Sequence, residues 1–415
     1  MIEKEGLITL EQKQCLEYHL NLPNDSISQV LYFDVEIRDS LSSVKDRVNK
    51  LFKNNSSLRL SFYKKQGKWY QCINTFEADN DYYTYIDIQS DCNKKEEIIQ
   101  EYISDTEKNM DIRKTHNLTK FVIFHINNKE FRCVLLLHHI ICDEWSINLL
   151  RNQFLHDHNI KCNDYDIIDY AIKQNDYVSY IMKDIQEHYN NLCNNLKKNN
   201  QQYIPLLNNR LYDLFSFESR IIQSKTSLYR TSLDLNIKNN KNLIAIIYAT
   251  YYLVAKNFYR KKDLLFAAPI RNLIGKNKKL VGYLDSGVYT YINNRYEKSE
   301  SLISDIYLEI LNSMKYSVPD HSYFNLDGRL LRRMTMLYIN IMPQYYDVSI
   351  NKSDYKNIFL HDNSYPFYPL SIFIIEKEDN IYFEYSFSEE FYSKTDIRLI
   401  HKNFQDMIKI LDNNK

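Results

Sequence analysis

Apolar residues in the first part of the chain change from a period of two to helical spacing, which predicts a strand followed by a helix. Phe33, Val35 and Ile37 alternate with polar residues, as in a half-buried strand. Behind Ser40, a residue type that caps helix N-termini, the spacing becomes helical. The helical positions are Leu41, Val44, Val48, Leu51 and Phe52. The chain therefore opens as a mixed α/β unit.

The same mixture of patterns continues to the end of the chain. Strands are predicted at LRLSFY (58–63), KWYQCI (68–73), KFVIFHI (120–126) and FRCVLLL (131–137), with NNKE as a hairpin turn between the last two. Helices are predicted at 94–110, 143–155 and about 165–200. The later part predicts a helix at 242–259, a strand at 263–269, a helix near 299–317, a strand at 334–341, a hairpin at 370–387 and a helix at 394–412.

Length and composition narrow the class of protein. A chain of 415 residues exceeds one ordinary core, so we expect two lobes, residues 1–165 and 166–415, with NNLKKNNQQ as a candidate surface connection. Lysine plus arginine (53) equal aspartate plus glutamate (53), which argues against nucleic-acid or membrane partners. The N-terminus lacks an apolar signal core. Seven cysteines without a CxxC pair favour a reducing cytoplasm over a disulfide framework or a zinc site.

The stretch CVLLLHHIICDEWSINLL, residues 133–150, carries the strongest chemical signal. A predicted buried strand ends at His138 and His139, and Asp143 then stands at the N-cap of the next predicted helix, with Glu144 in its first turn. A neutral imidazole can take up a proton near neutral pH. Neighbouring side chains on a strand point to opposite faces, so the two histidines are expected to have different tasks. Two core histidines and a capping aspartate are the alternative.

HHIICDEWS resembles the HHxxxDG motif of condensation domains from nonribosomal peptide synthetases. Other segments are similar to family motifs in the same order. LITLEQKQCLEYHL is similar to the opening helix motif, NNSSLRLSF to RHExLRTxF without its initial Arg-His, DYDIIDYAIKQ to YxDFAxWQ, and APIRNLIGKNKKLVGYLDSGVYTYIN to the stretch with an arginine before GxFVN; residues 368–411 resemble the final hairpin and helix.

The resemblance implies an α/β fold of two lobes related to chloramphenicol acetyltransferase, arranged as a V-shaped pseudo-dimer. The site would lie at the junction of the lobes, and we expect crossover segments near 283–293 and 345–368. His139 would be the catalytic residue and His138 structural. Asp143 would pair with Arg271 as scaffold, because removing one member of a buried ion pair costs about 3 to 5 kcal/mol.

Three positions after Asp143 remain open. Glu144 stands where the motif has glycine, so it either narrows the substrate channel or contacts an amine, or it is only a first-turn acid that suits the helix dipole. Trp145 and Ser146 are channel candidates by the same resemblance, although a tryptophan is more often a core residue.

The resemblance implies a stand-alone condensation enzyme of nonribosomal peptide-type biosynthesis. It would form an amide, or as second choice an ester, between a carrier-bound acyl or aminoacyl thioester and a nucleophile. Peptidyl or acyl carrier proteins would act in trans through their phosphopantetheine arms, and a small-molecule amine is an alternative acceptor. No bound cofactor or metal is expected. The alternatives are a catalytically silent domain that docks carrier proteins, and a coenzyme A-dependent acyltransferase acting on a soluble acceptor.

Overall fold

A computed structural model gives the structure of the chain. It describes residues 1–21, 30–90, 94–112, 117–156, 165–198, 224–234, 243–261, 263–271, 279–293, 301–317, 331, 335–342, 368–377 and 380–413. The chain divides into two compact units. The first contains the described residues of Met1–Tyr180 and Asn272–Asp285, and the second contains those of Ile181–Arg271 and the described residues from Ser286 onward.

Among its described residues, the first unit contains two sheets, four complete helices and the first part of a fifth. Its elements are β1 (Ile2–Leu7), α1 (Leu10–Asn21), β2 (Val30–Arg38), α2 (Leu41–Asn54), β3 (Leu60–Lys65), β4 (Lys68–Asn74), β5 (Thr84–Asp87), α3 (Lys95–Asn109), β6 (Thr119–Asn127), β7 (Glu130–His138), α4 (Glu144–His156) and α5 (Ile167–Lys198). Strand order is β1-β4-β3 in one sheet and β2-β7-β6-β5 in the other. Helix α5 continues past Tyr180 into the second unit.

The helix predicted from Ser40 onward is confirmed as α2, and its start follows from the sequence. The hydroxyl of Ser40 accepts a hydrogen bond of 3.2 Å from the backbone N–H of Ser43, which satisfies one of the first amide groups. Val44 and Val48 are fully buried on the apolar face, as their spacing predicts.

Strand β7 is buried on both faces, which explains its unbroken apolar sequence. Leu135 and Leu137 belong to a core that includes α2 and α4, whereas Val134 and Leu136 pack with α3 on the opposite face. Because consecutive residues of a strand point to opposite sides, covering both faces requires apolar residues at every position. The strand then ends at His138.

The second unit is built on one six-stranded sheet. Its remaining elements are β8 (Thr226–Asp234), α6 (Leu243–Tyr259), β9 (Leu264–Arg271), β10 (Asp285–Ile292), α7 (Leu302–Met314), β11 (Thr335–Met342), β12 (Leu370–Lys377), β13 (Asn380–Ser388) and α8 (Lys394–Asn413). The strand order is β10-β9-β11-β12-β13-β8. Strand β11 pairs in parallel with β9 and β12, and β13 pairs antiparallel with β12 and β8. Helices α6 and α8 contribute to the core of this unit.

The predicted mixed α/β fold is confirmed, with differences in detail. Strands β1, β5, β8 and β10 were not predicted. Leu58 and Arg59 lie in a short 3-10 helix, Ser56–Arg59, rather than in a strand. The predicted connection NNLKKNNQQ begins inside α5, and its last four residues lie outside the described residues.

The two predicted crossover segments, like the lobe boundary, stay predictions. Residues 283–285 belong to the first unit, whereas the rest of β10 joins the sheet of the second. The segment 345–368 lies outside the described residues except for Tyr368. The lobe boundary between residues 165 and 166 stays a prediction.

Candidate active site

His138 is held in the wall of the first unit by hydrogen bonds at both its backbone and its ring. It is 1% exposed, and its backbone N–H donates to the carbonyl oxygen of Leu118 at 2.9 Å. Its ring Nδ1 accepts a hydrogen bond of 3.1 Å from the backbone N–H of Ile140. A ring nitrogen that accepts from an amide must be unprotonated, so this geometry suits a neutral imidazole. These contacts favour a structural role for His138.

His139 is the first residue of a 3-10 helix, His139–Ile141, and is half-buried. Its Nδ1 lies 2.8 Å from the carbonyl oxygen of Cys142. Because a carbonyl oxygen can only accept, Nδ1 must carry the hydrogen, and the neutral ring has its lone pair on Nε2. No described residue forms a hydrogen bond with Nε2. The local backbone therefore holds His139 in the tautomer whose Nε2 accepts a proton.

The two histidines are separated by a change of backbone conformation. The sequence predicted opposite orientations from strand alternation, but the strand ends at His138 and the 3-10 helix begins with His139. The structure thus gives the pair two environments, one buried and one half-buried.

Asp143 joins helix α4 to a segment that is distant in sequence. Its carboxylate is fully buried, and Oδ1 accepts a hydrogen bond of 2.7 Å from the backbone N–H of Ser146. This contact confirms the predicted N-cap. Oδ2 accepts a second hydrogen bond of 3.2 Å from the backbone N–H of Leu284. Both oxygens therefore bind backbone amides within the first unit.

Ser146 makes a two-way hydrogen bond with one glycine. Its hydroxyl donates to the carbonyl oxygen of Gly282 at 3.0 Å and accepts from the N–H of Gly282 at 3.0 Å. A Cβ atom at Gly282 would lie 2.7 Å from Cδ1 of Ile167 in α5, so glycine permits this close approach. The side chain of Ser146 is fully buried. These contacts favour a structural role, and its predicted place in a substrate channel stays a prediction.

The positions of the other predicted site residues are described, and their predicted roles stay predictions. Glu144 is the first residue of α4 and is half-buried, as is Trp145 beside it. The carbonyl oxygen of Glu144 accepts a hydrogen bond of 2.6 Å from the side chain of Asn148. Arg271 is the last residue of β9. Asp143 and Arg271 belong to different units, and their pairing stays a prediction.

Sequence reasoning missed Tyr283 at this site. Its ring meets the imidazole of His139 edge-to-face, with centroids 4.8 Å apart and planes at 70°. A signal was available, since Gly282 is one of only six glycines and precedes Tyr283 directly. The sequence alone could not show that this segment returns to His139.

A buried polar group on α1 also reaches the 3-10 helix that begins at His139. The side-chain amide of Gln12 donates to Gln71 at 3.0 Å and to the carbonyl oxygen of Ile140 at 3.5 Å. Gln12 and Thr9 form a capping box, in which each side chain binds the backbone N–H of the other at 2.8 and 3.0 Å. The segment that is similar to the family's opening helix motif therefore contacts the 3-10 helix that begins at His139.

No group of three or more His, Cys, Asp and Glu side chains in the described ranges is placed to hold a metal ion. None of the helices in those ranges combines the length and apolar character needed to span a bilayer.

The model of the condensation domain family matches residues 3–270 of this sequence. The chain belongs to the condensation domain family. That membership implies an acyl-transfer, amide-forming role. The family's histidine motif lies at the end of buried strand β7 in this chain. A search of curated proteins finds no match to this condensation domain.

Solved structures similar to this condensation domain share its fold at low sequence identity. A mutant of the starter condensation domain of the rhizomide synthetase RzmA is 13% identical, with 99% of this chain and 96% of that chain covered and a TM-score of 0.75. A structure of condensation domain-mediated chain release from the enacyloxin polyketide synthase is 13% identical, with 98% and 83% covered and a TM-score of 0.73.

The epimerization domain from the third module of tyrocidine synthetase B has the same overall similarity. It is 13% identical, with 98% of this chain and 97% of that chain covered and a TM-score of 0.70. At these identities the likeness shows the fold alone, the chloramphenicol acetyltransferase-like fold that the resemblance implied.

Proposed function

We propose that this condensation domain forms an amide bond between an acyl or aminoacyl thioester and an amine, in nonribosomal peptide-type biosynthesis. The donor is carried on the phosphopantetheine arm of a carrier protein supplied in trans. The observation that carries the proposal is the hydrogen bond from Nδ1 of His139 to the carbonyl oxygen of Cys142, which leaves Nε2 as the proton acceptor. Family membership supports the reaction class.

In the proposed reaction His139 carries one proton in two transfers, from the amine to Nε2 and then from Nε2 to the leaving thiolate. The amine nitrogen attacks the thioester carbonyl carbon, and its proton passes to Nε2 as the C–N bond forms. The C–S bond then breaks, and the departing thiolate of the arm takes the proton from Nε2. A positioned base contributes about 10² to 10⁴-fold to such a step. Holding both substrates together adds a further large effect.

Asp143 and Ser146 act in this proposal as supports rather than as reacting groups. Both are fully buried and bind the backbone of residues 282 and 284. Arg271 is proposed as the partner of Asp143. Glu144, which replaces the motif's glycine, has two proposed roles: a first-turn acid at the helix N-terminus, or a contact with the amine.

A second donor class is supported by a specific comparison. The starter condensation domain of the rhizomide synthetase RzmA, in a mutant form, has been solved in complex with C8-CoA; it is 12% identical, with a TM-score of 0.71 over 99% of this chain. A coenzyme A thioester is therefore the second candidate donor. Both donors end in the same phosphopantetheine thioester, so the protein surface around the arm distinguishes them.

The cellular compartment is also a proposal. The cysteines that the structure describes are buried thiols, namely Cys15, Cys72, Cys133, Cys142 and Cys193. Buried thiols suit a reducing cytoplasm, where carrier proteins and coenzyme A are available as donors.

The test compares the two donors directly. Purified protein is mixed with the twenty amino acids as amines and with either an octanoyl-loaded carrier protein or octanoyl-CoA, and amides are measured by mass spectrometry. We expect product from the carrier-bound donor at the higher rate, and a rate about 10² to 10⁴-fold lower from His139→Ala. Equal rates with both donors would contradict carrier dependence. Carrier binding without product from either donor would contradict an enzymatic role and favour docking.

A further inference from the structure

Residues 280–284, here called the return segment, are packed into the core of the first unit. Leu280 and Val281 are each 4% exposed and Leu284 is fully buried, and all three belong to the apolar cluster that also contains Leu135 and Leu137 of β7. Burying three apolar side chains from five residues fixes the segment against the strand that carries the histidine pair.

Hydrogen bonds hold the return segment on both sides of Tyr283. Before it, the carbonyl oxygen of Val281 accepts from the hydroxyl of Ser57, and Gly282 binds the hydroxyl of Ser146 through both its N–H and its carbonyl oxygen. After it, the N–H of Leu284 donates to the carboxylate of Asp143 at 3.2 Å. The backbone of Tyr283 is therefore fixed relative to α4.

The ring of Tyr283 meets the imidazole of His139 edge-to-face at a centroid separation of 4.8 Å. Aromatic rings at this distance and angle attract one another beyond their buried area. A second contact restrains the same ring. The hydrogen bond from Nδ1 to the carbonyl oxygen of Cys142 fixes the tautomer and the direction of one ring edge. Two contacts from different parts of the chain thus fix one imidazole.

We propose that Tyr283 is a positioning residue for His139: the return segment, held by Asp143 and Ser146, places its aromatic ring against the imidazole and keeps Nε2 in one orientation. The inference rests on the proposed function of His139. It gives Asp143 and Ser146 a specific task, because the residues that they bind flank Tyr283 directly. The proposal assigns this role to the aromatic ring.

The test uses the full chain with Tyr283→Ala, Tyr283→Phe and a matched control, Tyr180→Ala, whose tyrosine is 88% exposed on α5. We expect Tyr283→Ala to lower kcat about ten- to hundredfold with KM changed less than about twofold, since misplacing a catalytic group affects the chemical step. Tyr283→Phe and Tyr180→Ala should keep the wild-type kcat. If Tyr283→Ala does not fold, Tyr283→Leu replaces it.

A second measurement does not depend on turnover. The ¹⁵N signals of the His139 ring should show one tautomer in the wild type and in Tyr283→Phe. They should show a mixture in Tyr283→Ala, because without the ring contact the imidazole turns away from the carbonyl oxygen of Cys142 and loses the hydrogen bond that fixes its tautomer. Unchanged kcat and an unchanged tautomer in Tyr283→Ala would overturn the proposal, and so would a Tyr283→Phe variant as slow as Tyr283→Ala. If the wild type forms no amide, the proposed function fails, and the tautomer measurement alone still decides the role of Tyr283.

Discussion

Two histidines, one in each unit, differ in how their imidazole rings are held. His139 is half-buried, and its Nδ1 is bonded to a carbonyl oxygen. His401 on α8 is only 4% exposed, and its Nδ1 lies 2.8 Å from the hydroxyl of Tyr385, which is bonded in turn to Tyr251 at 2.9 Å. Both rings are held, but by partners with different chemistry.

The nature of the partner decides what each ring can do. A carbonyl accepts only, so it fixes the tautomer of His139, whereas a hydroxyl can donate or accept and leaves the tautomer of His401 undetermined. Nε2 of His401 is buried without a hydrogen-bond partner among the described residues. Burial lowers the pKa of His401 to about 4, so this ring stays neutral at physiological pH. A buried histidine is therefore a weak indication of chemistry unless its second nitrogen is oriented and accessible.

The largest expected effect distinguishes these two histidines by turnover. His139→Ala should lower the rate of amide formation about 10² to 10⁴-fold because it removes the proton acceptor. His401→Phe, the matched control in the other unit, should stay within about twofold of the wild type. Comparable losses in both variants, measured at matched folded fraction by circular dichroism, would remove the distinction between the rings.

The next effect concerns the carboxylate that supports the His139 region. Asp143→Ala leaves the N–H groups of Ser146 and Leu284 without their acceptor in a fully buried place, and should lower the free energy of unfolding by about 3 kcal/mol. Asp143→Asn keeps one acceptor oxygen and should lose less. Urea unfolding measures both, and a loss under about 1 kcal/mol for Asp143→Ala would show that these bonds do not hold the segment.

A smaller effect follows from the lowered pKa of His401. The unfolded imidazole takes up a proton near its ordinary pKa of 6.5, whereas the folded one does so only near about 4. Stability from the neutral ring is therefore complete above pH 6.5 and is lost as the pH falls toward about 4, by about 3 kcal/mol. Urea unfolding of His401→Phe at pH 7 and pH 4.5 should show less pH dependence than the wild type. An equal dependence would mean that other groups cause it.

The smallest effect concerns Glu144 at the start of α4. As a first-turn acid it suits the positive end of the helix dipole, so Glu144→Gln should lower the free energy of unfolding by about 0.3 to 1 kcal/mol and leave turnover unchanged. The measurements are thermal unfolding and the KM for the amine. A rise in KM of more than about fivefold at unchanged stability would instead assign Glu144 to the amine.

Much of the fold could be predicted because strong periodicity decides local structure. The run ending at His138 and the spacing behind Ser40 each gave the right element, since burial on two faces or on one helix face leaves a clear pattern. Strands β5 and β8 were missed because they are edge strands with mixed polar and apolar residues. Tyrosines do not distinguish core from surface positions in this sequence, since Tyr248 is 1% exposed and Tyr180 is 88% exposed.

The candidate site was predicted only where its residues are neighbours in sequence. His138, His139 and Asp143 stand within one short motif, and the N-cap contact of Asp143 followed from helix chemistry. The contacts of Asp143 with Leu284 and of His139 with Tyr283 could not be predicted, because they depend on how a distant segment packs. Gly282 marked that segment, but glycine shows only that the backbone needs room.

The orientation of His139 is measured most directly by the ¹⁵N signals of its ring in histidine-labelled protein at neutral pH, with His139→Ala to assign them. We expect a protonated Nδ1 and an unprotonated Nε2, because Nδ1 must donate to the carbonyl oxygen of Cys142. This result would show that Nε2 is available to take the proton of an attacking amine. A neutral ring protonated at Nε2, or an equal mixture of tautomers, would contradict the role proposed for His139.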